Sequence, residues 1–252
     1  MTQAPVGQQC PDCVNEGKRT VRQARTALGG RTISRPTVTY TLLIMNVVVF
    51  VITLFTGHNA AVDRFGLQPI QIAVNHEYYR LFTSIFMHEN IAHIGFNMLV
   101  LWIIGQQLET LLGHSRFIVL YLISGFAGAV ASFWFSPMGI VGIGASGAIF
   151  GLMGGLLIAG RRLRYDVTQV AVLIGINLVI GFILAGTDWR AHLGGLAGGL
   201  AVGAVFAHGP KKNRLAFEIT MCLIIVVLLV GLTALRANHI ASLAEMAKPI
   251  FS

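Results

Sequence analysis

Residues 139–160 read GIVGIGASGAIFGLMGGLLIAG. A glycine-punctuated run gives way at Ser146 to an apolar segment that meets no charge until Arg161. A second apolar segment, residues 190–207, carries His192 near its own start. A hydroxyl and an imidazole are costly in hydrocarbon, so two such groups at matching depth invite a functional reading. Whether they do share a depth depends on how many times the chain crosses the membrane.

The 252-residue chain is 55% hydrophobic and only 11% charged, with a mean hydropathy of +0.72. Soluble domains carry about 25% charged residues, which excludes an ordinary water-soluble globule. Seven apolar runs are spaced as membrane helices: 38–56, 91–111, 115–135, 146–160, 168–186, 190–207 and 215–235. A helical crossing takes roughly 20 residues. The fourth run is short, which suits a helix that begins below the surface inside protein. The expected fold is therefore an all-α, polytopic membrane bundle of seven helices, preceded by a basic extension over residues 1–37.

The net charge of +8 could suggest nucleic acid, but its distribution points to topology instead. Lys18, Arg19, Arg22, Arg25, Arg31 and Arg35 precede the first run, and Arg116 follows the second. Arg161, Arg162 and Arg164 follow the fourth, and Lys211, Lys212 and Arg214 the sixth. With alternating crossings all of these fall on one side. The other side holds Arg64, Arg80, Arg190, Arg236 and Lys248. Positive charge stays inside, so the reading is a multi-pass plasma-membrane protein with a cytoplasmic amino terminus and an external carboxyl terminus. The basic side should also attract anionic membrane lipid, and no nucleic-acid partner is expected. The first run begins late and lacks a small-residue cleavage pattern, so it reads as a retained anchor.

With this topology the second, fourth and sixth runs all point inward, and each carries polar residues near its start. These are His93 and Asn97, then Ser146, then His192. His93 and Asn97 are four apart and share a helical face. His88 falls off that face, with Asn90 as the helix N-cap between them. First-turn amides have no intrahelical partner, so an anion forming at Ser146 would meet them. His93 and Asn97 could add side-chain donors, which is oxyanion-hole physics. Gly147/Gly151 and Gly195/Gly199 have the small-xxx-small spacing that lets helix backbones approach in lipid. Packing alone explains such glycines, so they support a site without identifying one. In an acyl-transfer reading His192 takes the Ser146 proton and the serine attacks a peptide carbonyl. Asp188 could be a third member or an N-cap; the cap is preferred, which leaves a Ser–His dyad.

These motifs resemble the rhomboid intramembrane serine proteases. The chain carries His88-x4-His93-x3-Asn97, Gly144-x-Ser146-Gly147 and Ala191-His192-x2-Gly195-x3-Gly199 in that order. The likeness covers about residues 38–207 and implies a six-helix core, with residues 208–252 adding a seventh helix and an external tail. It implies Ser146 as nucleophile, His192 as general base, and His93, Asn97 and the Ser146 amide as oxyanion stabilisers. It implies that Tyr79-Arg80 anchors the first external loop and that Gly105-x3-Glu109 is a structural motif at the inner end of the second helix. Phe150 stands where many members have a tyrosine stacked on the histidine, keeping the ring face and losing the hydroxyl. The implied substrates are transmembrane proteins, cut near the external face without a cofactor.

The remaining features are less specific. Cys10 and Cys13 resemble the final CxxC of a zinc-ribbon extension on some bacterial members. They supply two of four zinc ligands with no second pair, so no metal is expected. Residues 57–90, with Tyr78, Tyr79 and Phe82, read equally as an interfacial belt or as a structured flap. Residues 236–252 read as a short external tail. Rival functions are a catalytically silent relative that binds transmembrane clients, and a channel lined by His88, His93 and His192. The scarcity of acidic residues within the runs argues against a channel.

Overall fold

An apolar chain in hydrocarbon has no water to satisfy its amides, so each crossing must close its own hydrogen bonds as a helix. The computed structural model describes residues 2–4, 7–20, 24–183 and 187–247 and has this form. A three-residue hairpin pair, β1 (Thr2–Ala4) and β2 (Gly7–Gln9), precedes α1 (Pro11–Thr20). The helices of the bundle are α2 (Thr37–Thr56), α6 (Ile91–Leu112), α7 (His114–Phe135), α8 (Ser146–Leu163), α9 (Thr168–Ile183), α10 (Trp189–His208) and α11 (Arg214–Ala247). Between α2 and α6 lie α3 (His58–Phe65), α4 (Pro69–Val74), α5 (Arg80–Thr83) and a 3-10 turn, Ser84–Phe86. Among the described residues five helices, α2, α6, α7, α10 and α11, are long and apolar enough to cross a membrane. Helix α8 is buried among the others, and α9 is a shorter apolar helix. The end of the fifth expected run, residues 184–186, lies outside the described residues, as do Arg22 and the end of the expected tail from Lys248 onward.

Helices α7, α8 and α10 form the centre, and glycine decides how closely they pack. A Cβ on Gly195 would lie 1.9 Å from the Gly147 carbonyl oxygen, and one on Gly199 would lie 2.0 Å from that of Gly151. A Cβ on Gly151 would overlap Ser124 of α7 at 2.0 Å. Only glycine admits these backbone contacts, so the α8–α10 register is fixed by shape. That register carries Ser146 toward His192.

Two carboxylates buried in apolar surroundings are held by converging donors, as burial of a charge requires. Glu109 accepts hydrogen bonds from the amides of Val38 and Thr39 at 3.0 and 2.7 Å and from Thr39 Oγ1 at 2.6 Å. It thereby satisfies the first turn of α2, whose amides would otherwise be orphaned. Gly105 is needed beside it, since a Cβ there would be 2.8 Å from Thr39 Cγ2. Glu218 of α11 pairs with Arg116 of α7 at 2.9 Å and with Arg214 at 2.8 Å. Arg116 also donates to the Leu28 carbonyl at 3.0 Å.

Three regions carry more structure than the sequence specifies. Within the basic extension, Leu28 is buried in the main core and Gly30 packs on the Leu112 carbonyl. The segment before α2 therefore closes one end of the bundle. Residues 57–90 are a packed unit, with Leu67, Ile72, Ala73 and Leu81 sharing a core with Phe126 and Phe133 of α7. Helix α11 does not stop near residue 235. It continues to Ala247, and Ala237 and Ile240 join that same core.

Candidate active site

Asn90 caps α6, its side chain accepting from the His93 amide at 2.9 Å. This fixes His93 in the first turn and Asn97 one turn deeper, where Asn97 Nδ2 donates to the His93 carbonyl at 2.9 Å. The segment before α8 is pinned by backbone bonds. Leu67 and Gly142 exchange two hydrogen bonds at 2.9 Å, and the Gly144 amide donates to the Ser84 carbonyl at 2.9 Å. Gly144 has φ +127°, a backbone conformation that side chains avoid. A Cβ on Gly144 would lie 2.8 Å from His93 Nε2 and 3.7 Å from Ser146 Oγ. Glycine thus keeps open the space between the His93 ring and the serine.

Ser146 is the first residue of α8. Its Oγ lies 2.9 Å from His192 Nε2, across the glycine-lined α8–α10 contact. Phe150, one turn along α8, stacks on the His192 ring at a centroid distance of 4.3 Å and an interplanar angle of 15°. His192 Nδ1 is buried without a hydrogen-bond partner among the described residues. Asp188 is engaged elsewhere. One carboxylate oxygen caps α10 through the Ala191 amide at 3.2 Å, and the other accepts from Ser132 Oγ. The geometry is therefore that of a pair, with Asp188 at the helix cap.

His93, Asn97, Ser146, Phe150 and His192 all line one cavity of about 490 Å³, bounded by α6, α8, α9 and α10. His88 is buried just outside it, edge-on to His93 at 5.2 Å between centroids. Gly147, Gly195 and Gly199 stand behind the site at the helix crossing. Arg80 is buried in the neighbouring loop unit, where it donates to the carbonyls of Asp63 at 2.6 Å and Gly66 at 2.9 Å and pairs with Glu77. Cys10 and Cys13 are far along the chain from this constellation, with exposed sulfurs 2.7 Å apart. Among the described residues no group of three or more His, Cys, Asp or Glu side chains is disposed to hold a metal.

Several neighbours of the site are absent from the sequence reading. Ser132 as the partner of Asp188 had no signal, since the pairing joins residues 56 positions apart. Gly181 of α9 approaches the other side of the histidine, a Cβ there lying 3.2 Å from His192 Nδ1. Asn177 also lines the cavity. It did carry a signal, being an amide in the middle of an apolar helix.

This is a polytopic helical membrane protein with a serine and a histidine in hydrogen-bond contact among its buried helix ends. Residues 75–209 match the Rhomboid domain family model, and the chain belongs to the rhomboid family. It is 35% identical over 205 residues to rhomboid protease GluP of Bacillus subtilis, covering 78% of this chain and 40% of that protein. To RHOMBOID-like protein 6, mitochondrial, of Arabidopsis thaliana it is 31% identical, with 69% of this chain and 70% of the relative aligned. To rhomboid protease AarA of Providencia stuartii it is 25% identical, covering 77% and 79%. The chain spans about two fifths of GluP and of RHOMBOID-like protein 1 of Arabidopsis thaliana.

Proposed function

We propose that this protein is an intramembrane serine endopeptidase that cleaves transmembrane proteins near one membrane face. The observation that carries the reading is the 2.9 Å contact between Ser146 Oγ and His192 Nε2, two residues that line one cavity among the helices. Neutral His192 accepts the serine proton at Nε2 as Oγ attacks the scissile carbonyl. The oxyanion forms at the head of α8, where the Ser146 amide has no intrahelical partner. His93 Nε2, facing Gly144 from α6, and Asn97 supply side-chain donors. Protonated His192 then gives its proton to the leaving amine, the acyl-enzyme remains on Ser146, and water releases it by the reverse sequence.

A dyad must stabilise the imidazolium without a carboxylate. Phe150 supplies part of that stabilisation, because a cation over an aromatic face is attracted by the ring quadrupole. The parallel stack at 4.3 Å suits this role. The charge distribution supports an orientation with the basic ends of the bundle cytoplasmic and the Ser146 end external, in the plasma membrane.

A fluorophosphonate probe tests the chemistry. Ser146 should label covalently in the parent, and neither Ser146→Ala nor His192→Ala should label. Equal labelling of the parent and His192→Ala would refute the dyad. No labelling and no cleavage by the parent would favour a silent client-binding protein.

A further inference from the structure

One polar side chain in the cavity has no part in the chemistry above. Asn177 lies on α9, buried to 9% exposure, and its Nδ2 donates to the Leu173 carbonyl at 2.8 Å. Its Oδ1 has no hydrogen-bond partner among the described residues. Asn177 is one of the residues that line the cavity. The same cavity is lined by the apolar side chains of Phe96, Val100, Ile149 and Met153. An acceptor in such surroundings loses its full hydration unless something donates to it.

Depth identifies the donor. Gly181 touches His192, and Asn177 precedes it by one helical turn, roughly 6 Å farther from the serine end. Whatever lies with its scissile carbonyl at Ser146 must send its membrane-interior side past Asn177. Resting on the peptidase reading, we infer that Asn177 is a specificity-determining residue. It selects substrates with a hydrogen-bond-donating side chain of serine or threonine size about one turn interior to the cleaved bond. A valine there leaves the amide oxygen without a donor, whereas threonine has the same shape and supplies one. Sites built to hydrogen-bond a group discriminate strongly against the isostere lacking it.

The test uses the full chain reconstituted in proteoliposomes with single-span substrates. Threonine or valine is placed in turn at each of several positions interior to the scissile bond. At one position the parent should favour threonine over valine by about tenfold in kcat/KM. In Asn177→Leu that ratio should fall to about one or invert. Asn177→Ala, which only shortens the side chain, should likewise lose the preference. Parental indifference to threonine and valine at every position would overturn the inference without reference to any variant. An unchanged ratio in the folded, probe-labelled variants would overturn it too. A parent that cleaves without discrimination refutes this inference alone; a parent that neither labels nor cleaves refutes the peptidase reading beneath it.

Discussion

Replacing Gly199 with alanine adds one carbon at a place where the backbone of α8 leaves no room. The new Cβ would lie 2.0 Å from the Gly151 carbonyl oxygen and 2.4 Å from its Cα. Both are backbone atoms, so no rotamer change relieves the overlap. The two helices must separate by roughly 1 Å or more to restore van der Waals distance. Overpacking of this kind costs about 1–3 kcal/mol, and a backbone-to-backbone clash belongs at the upper end. Gly199 is two turns from His192 on the same helix, so the displacement is felt where Ser146 Oγ and His192 Nε2 are 2.9 Å apart. A misplacement of about 1 Å between reacting groups can cost about 100-fold in rate. The assay pairs thermal unfolding in detergent with the rate of fluorophosphonate labelling. Gly231→Ala is the control, because nothing lies within 4 Å of a Cβ at that position. It should be neutral or stabilise by up to about 1 kcal/mol, the helix-propensity gain of alanine over glycine. A Gly199→Ala protein with parental stability and labelling would refute the packing argument.

Three further outcomes follow from contacts of the site and the bundle. Phe150→Leu should lower kcat about tenfold with little change in KM, and Phe150→Tyr should restore it, because the ring face serves the imidazolium formed in the transition state; steady-state kinetics on a model substrate check this. Asp188→Asn should retain labelling within about threefold of the parent, since Asp188 caps α10 and His192 Nδ1 has no partner among the described residues; a loss comparable to that of His192→Ala would make it a triad member. Glu218→Ala should destabilise the fold by about 3 kcal/mol, because it leaves Arg116 and Arg214 without their shared carboxylate. Double replacement of Glu218 and Arg116 should recover part of that loss, measured by thermal unfolding.

The helices were legible because hydrocarbon imposes a simple rule on sequence. The run 91–111 became α6, Ile91–Leu112, and 115–135 became α7, His114–Phe135. Asn90 and Asp188 could be read as caps because a short polar side chain before an apolar run has few other uses. The apolar run of the last helix ends at residue 235, where Arg236 brings a charge. The helix continues there because its other face, Ala237 and Ile240, packs on Leu67 and Ile72 of the loop unit. That contact joins distant parts of the chain, and local pattern does not encode it. The same holds for Leu28, one apolar residue in a basic tail whose burial depends on the end of α6. At the site, residue types with known roles stood out, whereas Asn177 shows in the sequence only as an amide within an apolar helix, and its place in the cavity depends on the packing of α9.

The central claim is that Ser146, activated by His192, cuts a peptide bond at membrane depth. Reconstituting the purified protein with a single-span substrate and mapping the products by mass spectrometry tests it most directly. One cleavage is expected near the Ser146 end of the substrate's membrane segment, made by the parent and absent with Ser146→Ala. Cleavage by Ser146→Ala at the parental site and rate would contradict it.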